Sequence, residues 1–220
     1  MRFVKPSPYT LDDAFEGIMS LLNPGPYGVS NEDPKSILIH ELGAIMRDLG
    51  VAPVIIGGIA VIVNGHKRQT VDVDLLVARA EALKIIRRLE KTQGFVKIQL
   101  DRFKHSPTGS SVDLCVEGEL TSPRHKDRFP PPAEVEQLPC KPIPVIGLID
   151  LLALKAKSAR GRDEADFLDL YKDRGLTAQE VDRVKAKIED PALLANLDRW
   201  HARALEEIER EKLRRPPKLE

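Results

Sequence analysis

The residues best placed to do chemistry are two aspartates one position apart, Asp72 and Asp74, in the run Thr70-Val-Asp72-Val-Asp74-Leu-Leu-Val77. From Val71 to Val77 the apolar pattern has period two. That predicts a strand with Val71, Val73 and Leu75 on one face and Asp72, Asp74 and Leu76 on the other. Aspartates at i and i+2 on a strand project from the same face, roughly 7 Å apart at the backbone. Side chains that near can converge on one hard cation, and without a cation they repel and resist ionising. Asp113 has the same phase in a second alternating run, Ser111 to Glu117, where Val112, Leu114 and Val116 form the opposite face. If the two strands are neighbours, three carboxylates meet at one spot, and Asp101 is a weaker competitor for the third place. Three oxygen donors with open positions suit Mg2+, with Mn2+ as an alternative, because such ions keep waters and share substrate phosphates. Two ions about 4 Å apart would hold the attacking and leaving oxygens of an in-line phosphoryl displacement.

An isolated Asp-x-Asp more often faces solvent, but this pair has company. Gly57-Gly58 closes the short apolar run Val54-Ile55-Ile56 just before a helix start. Unpartnered backbone N–H groups and a close approach there suit a phosphate, although a Gly-Gly turn alone means only a tight bend. Thr70 shares the phase of the two aspartates. Arg68, just before, could reach a triphosphate oxygen or stay in water.

Around this segment the pattern predicts an irregular arm over 1–34, with one helix near Leu11 to Leu22, then a helix from Asp33-Pro34 to Leu49 closed by Gly50. Ile37, Leu38, Leu42, Ile45, Met46 and Leu49 form its apolar stripe. A short helix follows Gly58 as far as Asn64-Gly65. A helix over 80–92 is expected to turn Leu83, Ile86 and Leu89 inward. Strands are expected at Phe95 to Leu100 and near Ile143 to Ile146, with a proline-rich loop or cover over 121–142. Helices are expected near 148–159, 164–173, 178–189 and 191–214. Thr177-x-x-Glu180 is a capping box, and Asp190-Pro191 is an N-cap followed by an N1 proline. The expected plan is α+β: an arm over 1–34, a mixed sheet flanked by helices over 35–146, and a helical bundle over 147–220.

The segment Gly57 to Asp74 resembles the core of the DNA polymerase β-like nucleotidyltransferase superfamily. That family has a Gly-Gly or Gly-Ser turn, a short helix, Asp-x-Asp on a strand and a third Asp on a later strand. The minimal bacterial branch that includes the AbiEii-type abortive-infection toxins is the most similar. In it Gly-Gly-x-Ala followed by Gly-x-x-Arg-x-Thr-x-Asp-x-Asp recurs much as it stands here. Ala153-Leu-Lys155, Arg160-Gly-Arg162 and Ala-Asp166-Phe-Leu-Asp169 are similar to that branch's helical tail, except that Ala165 stands where a Lys or Arg is common. The likeness spans roughly residues 50–172. It implies a nucleotidyltransferase-type sheet in which Gly57 and Gly58 cradle a nucleoside triphosphate and Asp72, Asp74 and Asp113 bind metal. Asp113 would also draw the proton from the attacking hydroxyl, and Lys155 and Asp166 would approach the nucleotide. For Lys155 a solvated lysine is the plain alternative. Asp166 and Asp169 could equally balance Lys155 or Arg162.

Composition limits the partners. The 220 residues carry 34 basic and 34 acidic side chains, so the chain is not a grossly basic nucleic-acid binder. Residues 84–162 nevertheless hold 15 Lys/Arg against 9 Asp/Glu, a net of +6, so a polyanion should meet the middle of the chain. Two cysteines exclude a disulfide scaffold. No signal peptide and no bilayer-long apolar run are visible, so a cytoplasmic protein with no membrane partner is expected. With the toxin resemblance, this favours transfer of a nucleoside monophosphate to a hydroxyl, on tRNA or another RNA, by a toxin-type or phage-defence protein that would have a cognate antitoxin. A protein hydroxyl (AMPylation), a small molecule such as an antibiotic, a non-catalytic nucleotide-binding module and a metal-dependent nuclease are the alternatives. With 5% aromatic residues, stacking platforms for bases are few.

Overall fold

A computed structural model describes residues 34–214; all of the expected arm over 1–34 except Pro34, which is helical, lies outside them, as do its helix near Leu11 to Leu22 and the Asp33 N-cap. The chain divides into two compact units. One runs to Glu119 and resumes over Phe129–Gly147, and the other joins Leu120–Arg128 to the residues from Leu148 onward. The sequence places the joint one residue earlier and leaves 120–128 with the sheet.

The first unit holds α1 (Pro34–Leu49), β1 (Val54–Ile56), α2 (Gly57–Val63), β2 (Asp72–Val77), α3 (Arg79–Leu89), β3 (Phe95–Lys97), β4 (Arg102–His105), β5 (Ser111–Val116), a 3-10 turn at Pro132–Glu134, β6 (Gln137–Leu138) and β7 (Val145–Ile146). The strands form one mixed sheet in the order β3-β4-β5-β2-β1-β7-β6. β2 lies near its middle, parallel to β5 and antiparallel to β1. On one side of these strands Val73, Leu75, Phe103, Val112 and Leu114 are buried, as strict alternation requires.

α1 ends at Gly50, in the left-handed conformation (φ 62°), and the Lys84 ammonium donates to the terminal Leu49 carbonyl. Its buried stripe is Leu38, Ile39, Leu42, Ile45 and Met46, while Ile37 is exposed. In α3 the inward residues are Ala82, Ile85, Ile86 and Leu89, a stripe at i, i+3, i+4 and i+7; Leu83, expected inside, is 56% exposed. The single strand expected from Phe95 to Leu100 is instead a hairpin. The N–H groups of Ile98 and Gln99 both donate to the Arg102 carbonyl, at 2.8 and 3.1 Å, and the chain turns back as β4. Ile98 and Leu100, apolar but in that turn, are left in water.

The second unit contains α4 (Leu148–Ser158), α5 (Gly161–Arg174), α6 (Ala178–Lys185) and α7 (Pro191–Arg214). Both expected caps form. Glu180 N donates to Thr177 Oγ1 at 3.3 Å while Thr177 N donates to Glu180 Oε2 at 2.8 Å, and Ala192 N donates to Asp190 Oδ1 at 2.9 Å. Phe167 packs on Trp200, with ring centroids 5.7 Å apart, over buried Leu170, Leu193 and Leu197. Residues 120–128 belong here because Asp127 is buried and its carboxylate accepts from the N–H groups of Glu189 and Asp190 at 3.2 and 3.0 Å, with Lys157 Nζ 3.4 Å away. Among the described residues no helix is long and apolar enough to cross a membrane.

Candidate active site

Strand register brings the predicted carboxylates into one row. Asp74 on β2 is the direct partner of Asp113 on β5, and Asp113 is the direct partner of Arg102 on β4. Partners across a ladder share a face and stand about 4.8 Å apart at the backbone. Asp72, two residues before Asp74, faces the same way, opposite Ser111, which in turn faces Lys104. The third carboxylate is therefore Asp113; Asp101, exposed in the turn before β4, is outside the row. Asp72, Asp74 and Asp113 are all half-buried.

The glycine turn closes on this row. Ile56 pairs with Asp74, so Gly57 follows directly beside it. Gly57 has φ 68°, a conformation side chains resist, and a Cβ there would collide with the Asp74 carboxylate. A Cβ at Gly58 would collide with the hydroxyl of buried Thr70 and approach the Arg68 guanidinium. The two glycines thus let the backbone lie against the predicted Asp and Thr side chains. Beyond them α2 is almost wholly buried, and its C-cap Asn64 fixes it. Asn64 Nδ2 donates to Ala60 O at 2.8 Å and to Ile146 O of β7 at 3.0 Å, tying the turn's helix to the sheet.

The electrostatics of the row are strained. Burial pushes the Asp113 carboxyl up to about 6, and the neighbouring Asp74 adds to this; Arg102 opposes it, and Asp72 and Asp101 contribute less. Arg102 reaches over two of the carboxylates, with Nε 3.0 Å from Asp113 Oδ1 and Nη2 3.7 Å from Asp72 Oδ1. The Arg102 contact brings opposite charge near without a donor aligned on the oxygen, so Asp113 Oδ1 is buried with no hydrogen bond. An acceptor in that condition, beside two further carboxylates, matches the oxygen-donor set of a hard divalent cation. Among the described residues no three acidic, histidine or cysteine side chains are drawn together closely enough to ligate one ion as they stand.

The helical unit holds the other two predicted residues. Lys155 on α4 is neither solvated nor isolated. It is buried, with Nζ 2.9 Å from Asp163 Oδ1 and 2.6 Å from Asp166 Oδ2, both on α5. Burial acts to raise the Asp163 carboxyl, but Lys155 and donors from Arg160 and Ser158 hold it below the usual carboxylate range. Asp163 binds the Arg160 side chain and backbone N–H as well, so one carboxylate both matches Lys155 and starts α5. Asp169 lies 3.5 Å from Lys172 instead.

Sequence reading missed Arg102, Asn64 and Asp163. For Arg102 a signal existed: Arg102-Phe-Lys-His105 alternates polar and apolar, with Phe103 wholly buried. No protein-family model and no curated protein matches this chain.

Proposed function

We propose that this chain is a metal-dependent nucleotidyltransferase of the DNA polymerase β-like kind, moving a nucleoside monophosphate from a nucleoside triphosphate to an acceptor hydroxyl. The observation that carries the reading is the in-register pair Asp74 and Asp113, with Asp72 on the same face and Gly57 packed against Asp74. A sheet gains nothing from adjacent like charges, which destabilise a ladder, unless a cation joins them. In this reading Asp72, Asp74 and Asp113 hold Mg2+ or Mn2+. The ion, when bound, neutralises charge on the triphosphate and favours attack at the α-phosphorus.

The chain's own groups do the rest. Gly57 and Gly58 let the polyphosphate approach the backbone, with Thr70 and Arg68 beside them. Asp113 accepts the proton of the attacking hydroxyl. Lys155 and Asp166 enter as the matched charges that order α4 and α5, a role their mutual contact supports more directly than one on a phosphate.

The acceptor we favour is an RNA end. Arg102 and Lys104 share the face of the carboxylate row, where a polyanion's phosphates would meet them. Toxin-type or defence use, with an antitoxin partner, belongs to the same proposal. The test is incubation with each α-labelled triphosphate, Mg2+ and either total RNA or total protein. Label on RNA with release of pyrophosphate supports the reading. Label on protein moves the acceptor to a side-chain hydroxyl, and RNA degradation without triphosphate use replaces transfer by nuclease chemistry.

A further inference from the structure

We propose that Arg102 is a built-in competitor for the cation site, neutralising Asp72 and Asp113 when no metal is bound and giving way when one binds. The inference rests on the metal-site reading above and goes beyond it by naming what sets the site's affinity.

Three observations carry it. First, Arg102 cannot avoid the row: ladder pairing with Asp113 fixes its backbone on the adjacent strand. Second, its guanidinium faces one oxygen of each of two residues that would hold the divalent ion, at 3.0 and 3.7 Å. Third, the contact is not locked. Nε is misaligned for a hydrogen bond to Asp113 Oδ1, and the side chain is 38% exposed, so it can swing into water on its flexible stem without breaking the β4–β5 ladder. Buried Phe103, the next residue, holds the strand in place while Arg102 moves.

A guanidinium and a divalent cation cannot share those oxygens, because like charges at contact distance repel strongly. Arg102 therefore lowers metal affinity by the strength of its two half-exposed ion pairs, about tenfold in binding constant. The same contact spares the metal-free sheet the uncompensated charges of Asp72 and Asp113 on neighbouring strands. Withdrawal of Arg102 also leaves a planar five-donor group, well suited to a phosphate, at the edge of the site.

The experiment measures Mn2+ binding by calorimetry on the full chain, with wild type, Arg102→Met, Arg102→Lys and Asp74→Asn. Circular dichroism checks each fold, and Arg102→Gln provides the same comparison if the methionine variant does not fold. The expected result is about tenfold tighter binding by Arg102→Met, binding within threefold of wild type by Arg102→Lys, and loss of binding by Asp74→Asn. Without metal, Arg102→Met should unfold at lower denaturant than wild type, and saturating Mn2+ should close that gap. If wild type binds Mn2+ through Asp74 but Arg102→Met binds no tighter, the competitor role is wrong and the metal site stands. If neither wild type nor the Arg102 variants bind Mn2+, the metal site itself fails and the competitor role with it.

Discussion

Asp74 and Asp113 are direct partners across the parallel β2–β5 ladder, two carboxylates side by side where a sheet ordinarily places complementary groups. Burial raises the Asp113 carboxyl to about 6, and Asp74 adds to the shift.

That shift has a pH consequence. A carboxyl whose folded pKa lies above its ordinary value near 3.8 binds more protons folded than unfolded between those two values, so folding is favoured when it is protonated. The Asp113 contribution to the stability of the metal-free protein should therefore fall by about 1–3 kcal/mol as pH rises from about 4 to about 6, the lower part of that range applying because Asp113 is partly exposed. Asp113→Asn should lose this slope, so the stability difference between the two proteins should shift toward the variant across that window. Urea titrations without divalent ions, from pH 4 to 7.5, measure it; parallel profiles for the two proteins would show that Asp113 carries no such strain.

Gly57 and Gly50 both have positive φ, 68° and 62°, but only Gly57 faces an obstacle. Gly50→Ala should cost about 1 kcal/mol, from backbone strain alone. Gly57→Ala adds a collision with the Asp74 carboxylate and should cost about 2–4 kcal/mol. Denaturant midpoints of the two variants decide this, and equal losses would mean that the turn and Asp74 are not packed as described.

Asn64→Ala removes both side-chain bonds that hold α2, leaving the Ile146 carbonyl without its donor. A loss of about 2–3 kcal/mol is expected. Hydrogen exchange should quicken in α2 before it does so in β2 and β5, whereas a uniform change across the sheet would contradict the tether.

Lys155→Met takes the Lys155 ammonium from buried Asp166 and from buried Asp163, which keeps Arg160, and should cost about 3–5 kcal/mol. Adding Asp166→Asn to that variant should recover part of the loss, because one uncompensated charge is removed. A double-mutant cycle gives the coupling; additive effects would mean that Lys155 and Asp166 do not act as a pair.

The candidate site was readable where a short pattern determined direction. Alternation in β2 and β5 placed Asp72, Asp74 and Asp113 on the polar side before any pairing was known, and the observed register supplied what alternation lacks, namely which strand lies beside which. Arg102 was hidden by a hydrophobic false lead. Ile98 and Leu100 extend the strand pattern beyond Phe95, yet the chain turns there and both are exposed. Leu83 misled in the same way, since Ala82 and Ile85 are smaller or equally apolar but lie on the helix face that meets the core. Lys155 could not be read as buried, because its partners Asp163 and Asp166 are brought to it only by the packing of α5 on α4.

The central claim is that the carboxylate row transfers a nucleoside monophosphate, and the initial rate of α-label transfer to RNA with Mg2+ tests it most directly. The rate should fall at least a hundredfold, on the order of a lost catalytic carboxylate, in both Asp74→Asn and Asp113→Asn, and stay within a few-fold of wild type in Ser111→Ala on the same strand face. Transfer at wild-type rate by either aspartate variant would contradict it.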